Sequence, residues 1–262
     1  MYNFDFVKPA TLDEAVAALG GEDAQPLSGG QTLLPSMKQR LNAPGVLISL
    51  TGIAALKGVK LEGRTLVIGA ATPHAVVATE AASVYPALAA LAGGIGDPAV
   101  RNRGTIGGSL ANNDPSACYP AAALGSGATI VTNTREIAAD DFFTGMFETA
   151  LEQGEIITAV KFPVPEKAAY LKFQQPASRF ALTGAYVAKY QDGVRVAITG
   201  ASEGGVFRWT EAEEALNRSF TAEALNGLSL PAEGMMGDLH GTPAYRAHLC
   251  AVMTRRAVTA AG

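Results

Sequence analysis

Short apolar runs separated by glycine, proline and charged residues make up most of the chain, and their spacing switches between strand and helix periods. Phe4–Val7 reads as a strand, after which Thr11 caps a helix over Leu12 to Leu19 that Gly20–Gly21 ends. Gln25–Leu27 reads as a short strand running into Ser28-Gly29-Gly30-Gln31-Thr32. A helix follows from about Leu33, with Pro35 tolerated in its first turn and Lys38 and Arg40 towards its end. Val46–Leu50 is strand-like. Leu56–Leu61 and Thr65–Gly69 flank Glu62-Gly63 as a β-hairpin. Pro73–Glu80 and Tyr85–Ala92 are alanine-rich and helical, ending at Gly93–Gly94.

Ile95 to Asn113 reads as one long irregular segment. Asp114-Pro115 then has the form of a helix start, with aspartate as N-cap and proline in the first helical position, for a helix reaching about Leu124. Ala128–Thr132, Glu155–Phe162 and Leu171–Gln174 read as strands, and Pro163 and Pro165 mark a boundary. Beyond it, Ala185–Tyr190 and Val194–Ala201 flank Asp192-Gly193, a second hairpin signal. Helical segments around Thr210–Asn217, Ala222–Asn226 and Ala244–Ala261 close the chain, and no fixed-period repeat is present. This order predicts an α+β fold in two units, residues 1–165 (with parts at about 1–55 and 56–165) and 166–262, and no doubly wound sheet.

Composition narrows the function. The chain has 262 residues, 48% hydrophobic and 17% charged, which suits a globular protein with a sizeable core. Its net charge of −4, without a Lys/Arg run, argues against nucleic acid as a partner. Cys118 and Cys250 form no C-x-x-C pair, and His74, His240 and His248 lack a ligand spacing, so no metal or iron–sulfur centre is expected on this chain. The first residues lack the pattern of a signal peptide, and no apolar run approaches the ~20 residues of a membrane span, so the expected location is the cytoplasm.

Glycine is the anomaly: 29 residues, about 11% against an average of ~7%, many in pairs. Two glycine loops each lie between an extended or irregular stretch and a helix: Ser28-Gly29-Gly30-Gln31-Thr32-Leu33 and Thr105-Ile106-Gly107-Gly108-Ser109. Successive N–H groups in such turns make concave anion nests, to which a helix dipole adds about half a positive charge. Ser28, Thr32, Thr105 and Ser109 offer hydroxyl donors as well. Either loop alone serves equally as an ordinary tight turn. Neither matches G-x-G-x-x-G or G-x-x-x-x-G-K-[ST], and no G-x-S-x-G is present, so Rossmann, P-loop and nucleophile-elbow readings fail on spacing. The residues alone point to a phosphate-bearing ligand or to turns.

Ser28–Lys38, Ser-Gly-Gly-Gln-Thr-Leu-Leu-Pro-Ser-Met-Lys, resembles the first FAD-binding loop of the medium subunits of the xanthine dehydrogenase and carbon monoxide dehydrogenase family. Arg101–Pro115, Arg-Asn-Arg-Gly-Thr-Ile-Gly-Gly-Ser-Leu-Ala-Asn-Asn-Asp-Pro, resembles its second loop. Phe4–Pro9, Gly154–Ile157, Ala177–Ala181 and Ala244–Leu249 fit too, so the similarity spans nearly the whole chain. The resemblance implies a two-part FAD-binding domain of the p-cresol methylhydroxylase type followed by a smaller C-terminal flavoprotein domain with an antiparallel sheet and helices. It implies that Ser28, Gly29, Gly30, Gln31, Thr32 and Leu33, with Thr105, Ile106, Gly107, Gly108 and Ser109, hold the diphosphate and nearby sugar oxygens. Ile157 then meets the isoalloxazine and Lys172 lies near the flavin. Where the family often carries aspartate this chain has Cys118, and Asn113 or Asp114 is expected to replace the lost contact. Cys118 itself reads as a small buried residue, and Tyr119, Trp209 and Phe142–Phe143 as core positions or, for Tyr119, a flavin neighbour.

In that family a large subunit carries molybdopterin and the substrate, and a small subunit carries iron–sulfur clusters. This chain would then be the FAD-carrying electron-transfer subunit of a molybdenum hydroxylase, with no catalytic acid or base of its own, in a dimer of heterotrimers. The rival readings are a stand-alone flavin oxidase or dehydrogenase, which needs a substrate cap and a base that the short second region does not offer, and a non-enzymatic ligand-binding or assembly protein.

Overall fold

The computed structural model describes residues 1–21 and 23–262. Three short strands, β1 (Asp5–Val7), β2 (Ala24–Leu27) and β3 (Val46–Ser49), pair in parallel in the order β1-β3-β2. Parallel neighbours need crossovers, which α1 (Leu12–Leu19) and α2 (Leu33–Lys38) supply. α1 begins with a capping box: the Thr11 hydroxyl accepts from the Glu14 N–H, and the Glu14 carboxylate accepts from the Thr11 N–H. Ala15 and Leu19 bury its inner face against Ile48, Leu50 and Ile53. α2 stops sooner than its basic residues suggest, because Arg40 takes the left-handed conformation at φ 62°.

The second part is built on a five-stranded antiparallel sheet. β4 (Val59–Glu62) and β5 (Thr65–Gly69) form the first hairpin, and α3 (His74–Glu80) and α4 (Pro86–Gly93) follow. Ile95–Asn113 is not irregular throughout: it contains α5 (Pro98–Arg101) and α6 (Ile106–Asn112). Asp97 starts α5 by accepting from the Val100 N–H with Pro98 behind it, and Thr105 starts α6 by accepting from the Gly108 N–H. Asp114-Pro115 does not begin a helix. Asp114 Oδ1 accepts from the Ser116 N–H in a local turn, and the Pro115 carbonyl is taken by Thr199 Oγ1 and the Gly200 N–H. α7 therefore starts later and spans Cys118–Ser126, every residue buried. After it come β6 (Thr129–Thr132), β7 (Glu136–Ala138), α8 (Ala139–Phe142), the small pair β8 (Phe143–Gly145) and β9 (Glu148–Thr149), and β10 (Ile157–Pro163). The sheet order is β4-β5-β10-β6-β7.

The last part is an antiparallel sheet in sequential order, β11 (Lys167–Gln174), β12 (Ala181–Tyr190), β13 (Gly193–Ser202) and β14 (Gly205–Arg208). Along β12, Tyr186 and Ala188 join the core that holds α7, while the alternating Ala185 and Val187 join a second core under α9 (Thr210–Arg218) and α10 (Pro243–Ala261). Both faces are covered, which explains why the strand is apolar at nearly every position. α7 lies so close to the sheet that a Cβ on Gly125 would stand 2.8 Å from Tyr186 and 3.3 Å from Ala197. The α+β expectation holds, the second hairpin turns at Gln191–Asp192, and Trp209, Phe142 and Tyr119 are buried. His240 and His248 are exposed.

Candidate functional site

Ser28–Thr32 is the turn between β2 and α2, and Thr105–Ser109 opens α6; 77 residues apart, Ser28 Oγ and Thr105 Oγ1 hydrogen-bond at 2.7 Å. Contact is backbone to backbone beside them: a Cβ on Gly29 would overlap the Arg103 carbonyl, so only glycine fits there. Gly107 is held as tightly, its missing Cβ 2.6 Å from that of Ala70. These turns meet on one wall of a cleft of about 640 Å³, which also reaches His74, Cys118, Ile157 and Lys172.

The two loops differ in what they offer. In the first, the N–H groups of Gly29, Gly30, Gln31 and Thr32 meet no acceptor among the described residues, while the Gln31 amide braces the turn by donating to the Gly29 carbonyl. In the second, the amides are engaged: Ile106 donates to Thr72, Gly107 to Ala70, Gly108 to Thr105 Oγ1 and Ser109 to the Thr105 carbonyl. The first loop is thus the anion nest, and the second supplies a close wall with the Ser109 hydroxyl on it. The sequence suggested a symmetrical pair; hydrogen-bond accounting makes it one-sided.

Most of the expected site residues come together. Ser28, Gly29, Gln31, Thr32, Leu33, Thr105, Gly107, Gly108, Ser109, Asp114, Ile157 and Lys172 all line the cleft, whereas Gly30, Ile106 and Asn113 do not. Gly30 sets the turn at φ 71°, and Ile106, the first residue of α6, is fully buried. Asn113, left-handed at φ 41°, spends its amide N–H groups on the carbonyls of Gly145 and Glu148. It thereby holds the hairpin whose tip, Phe147, reaches the cleft, and takes no place there itself. Asp114 does line the cleft, and burial holds its carboxyl above the usual carboxylate range.

Sequence reasoning passed over three features. His74 lies under Gly104, where an added Cβ would stand 2.6 Å from its Nε2, and its ring leans on Tyr119 at 5.2 Å. Burial, with the Arg101 charge second, lowers its pKa to about 4. Glu155 is gripped by Arg135 through Nε at 2.8 Å and Nη2 at 2.9 Å, and Asn133 Oδ1 accepts from the Ile156 N–H at 2.8 Å. Together they fix the entry to β10 and hence Ile157. Arg179, left-handed at φ 62°, lines the end of the cleft near Lys172. A lone histidine or an acid–base pair 20 residues apart carries no local signal; only the fold assembles them.

A cleft of this size with a row of unsatisfied amides and glycines where a Cβ would fill the cradle suits a dinucleotide held by its diphosphate. Residues 2–165 match the family model described as the FAD binding domain in molybdopterin dehydrogenase. The chain belongs to this family. The medium chain of carbon monoxide dehydrogenase from Hydrogenophaga pseudoflava is 34% identical over 98% of this chain and 96% of its own length. The nicotine 6-hydroxylase medium subunit of Paenarthrobacter nicotinovorans is 33% identical over 98% of this chain and 96% of its own. Among solved structures, reconstituted CO dehydrogenase from Oligotropha carboxidovorans superposes with a TM-score of 0.90 at 32% identity, covering 99% of this chain and 98% of that one. The protein is thus an FAD-binding medium subunit of a molybdenum-containing oxidoreductase, and its cofactor is FAD. The relatives it resembles are named as medium chains or subunits of multi-subunit enzymes. No helix among the described residues is long and apolar enough to cross a membrane.

Proposed function

We propose that this chain relays electrons from iron–sulfur clusters on a small partner subunit to an external acceptor, within a dimer of heterotrimers whose large subunit carries molybdopterin and substrate. The cytoplasm is the proposed location. When bound, FAD takes electrons one at a time and gives them up in pairs, which is the chemistry such a relay needs. The protein's own part is to bind, orient and tune. The amides of Gly29–Thr32 neutralise the diphosphate, and Thr105 and Ser109 line the cleft beside them. Ile157, fixed by the Glu155–Arg135 and Asn133 contacts, sets the backbone against the ring system, and Lys172 and Arg179 place positive charge at that end. Residues 1–165 are proposed as the FAD-binding domain and 166–262 as the second domain, whose β11 lends Lys172 to the cleft.

The observation that carries this reading is the run of unpaired amides at Gly29–Thr32, of which Gly29, Gln31 and Thr32 line one cleft with the second glycine loop. Stopped-flow mixing of the assembled complex with its substrate tests it. Flavin bleaching is expected only when the small subunit is present. Bleaching of this chain alone by an oxidisable substrate would contradict the relay and favour a stand-alone oxidase.

A further inference from the structure

Lys172 stands at the end of the cleft with an unusual set of partners. Its ammonium donates to the carbonyls of Gly94 at 2.9 Å and Arg179 at 2.7 Å, and to Cys118 Sγ at 3.6 Å. Two further cations grip the same segment: Arg101 Nη1 donates to the carbonyls of Ile95 and Gly96, and Arg179 Nη1 to that of Gly96. Among the described residues, none of these three cations has an Asp or Glu oxygen within 4.0 Å, and every ion pair found lies elsewhere. The acids on the cleft or next to it in sequence are committed. Asp97 caps α5 through the Val100 N–H, and Asp114 closes its own turn on Ser116. Glu155, on the same cleft, is bound to Arg135. Carbonyl dipoles and a thiol solvate the Lys172 charge without cancelling it. Cys118 is the only side chain among its three hydrogen-bond partners, and both residues line the cleft.

We propose that Cys118 is a redox-tuning residue: by meeting Lys172 with a thiol in place of a carboxylate, it leaves the cationic end of the cleft uncompensated and so raises the reduction potential of the bound flavin. This rests on the reading that the flavin ring lies against Ile157 and Lys172. Reduced flavin carries more negative charge than the oxidised form, so a cation beside it stabilises the reduced form selectively. A flavin so poised draws electrons in from its donor more strongly than one facing a neutralised lysine.

The test is a potentiometric titration of the FAD-loaded full chain carrying Cys118→Asp, Cys118→Asn or Lys172→Gln. Asp and Asn match in shape and differ by one charge. The Asp variant is expected to lie below the Asn variant by at least a tenfold change in the two-electron equilibrium, about 30 mV. Lys172→Gln is expected to fall below wild type by a similar amount. Equal potentials for the Asp and Asn variants, or a wild-type potential in Lys172→Gln, would overturn the proposal, and the lysine variant decides the matter alone if Cys118→Asp does not fold. N-ethylmaleimide labelling read by mass spectrometry checks the underlying site. FAD is expected to slow alkylation of Cys118 at least tenfold, with Cys250, sealed in the second core, as the unreactive reference. Unslowed labelling removes the flavin from this wall and sinks both readings, whereas protection with equal potentials sinks the tuning alone.

Discussion

Gly29 and Gly108 show how differently two glycines of one site are constrained. At Gly29 a methyl group collides with the Arg103 backbone, so Gly29→Ala must push the two loops apart. It is expected to cost about 1–3 kcal/mol of stability and to weaken FAD binding together with it. At Gly108 the added carbon meets only Thr105 Oγ1 at 3.0 Å and Ser28 Cβ at 3.8 Å, on a helix where alanine is favoured over glycine by roughly 0.5–1 kcal/mol. Gly108→Ala is expected to change the stability of the FAD-free chain by less than about 1 kcal/mol while lowering FAD affinity, as urea melts and FAD titrations can separate. His74 gives a pH signature. Its folded pKa of about 4 lies below the ordinary imidazole value of 6.5, so the neutral imidazole is the form that suits the fold. The stabilisation is therefore complete above pH 6.5 and is lost as pH falls through 4, a change of roughly 3 kcal/mol. Urea midpoints of the FAD-free chain should drop across that window, and His74→Gln should flatten the slope. Glycine pairs are visible in a sequence because the residue type itself declares a backbone need; His74 is invisible because its burial is made by Gly104, 30 residues away in the chain.

At the scale of elements, local chemistry marked helix starts well where the cap was free to act. Thr11 with Glu14 sets α1 where the pattern places it. Asp114-Pro115 carries an equally good signal, yet the Pro115 carbonyl, which a helix would need in its first turn, is claimed by Thr199 and Gly200 from the neighbouring sheet, and α7 begins at Cys118 instead. α6 escaped notice for the opposite reason. Its glycines disfavour a helix, and contacts across to Ala70 and Thr72 make one anyway. The start of β10 depends on a similar remote device, the Glu155–Arg135 pair. Arg135 holds the Glu155 carboxyl down at about 2, together with Thr134 and the Glu152 N–H. That support is present above the ordinary carboxylate range and is lost as pH falls through about 2. Glu155→Gln is expected to speed amide exchange at residues 155–157 and to shift the flavin absorption envelope, with helices distant from β10 unchanged; hydrogen exchange followed by mass spectrometry checks both regions.

Across the whole molecule, α7 is the shared member. It packs beneath the five-stranded sheet and against β12 and β13, and Asp140 reaches across to Arg195 at 2.6 Å and to Arg208 at 3.2 Å. Lys172 and Arg179 come from beyond residue 165, so the cleft is complete only when both halves are folded. FAD at a hundred times its Kd should therefore stabilise the chain by about 2.7 kcal/mol, and the shift should appear equally in flavin absorbance and in the fluorescence of Trp209, the one tryptophan, buried in the second core. A Trp209 transition that ignores FAD would show the halves to be uncoupled. The central claim is narrower than this: the open amides of one glycine turn, closed over by another, grip the diphosphate of FAD. Diffraction from crystals of the FAD-loaded chain tests it most directly. Phosphate oxygens within about 3 Å of the N–H groups of Gly29–Thr32, with the ring system against Ile157 and Lys172, are the expected result. A diphosphate bound elsewhere, with those amides still facing solvent, would contradict it.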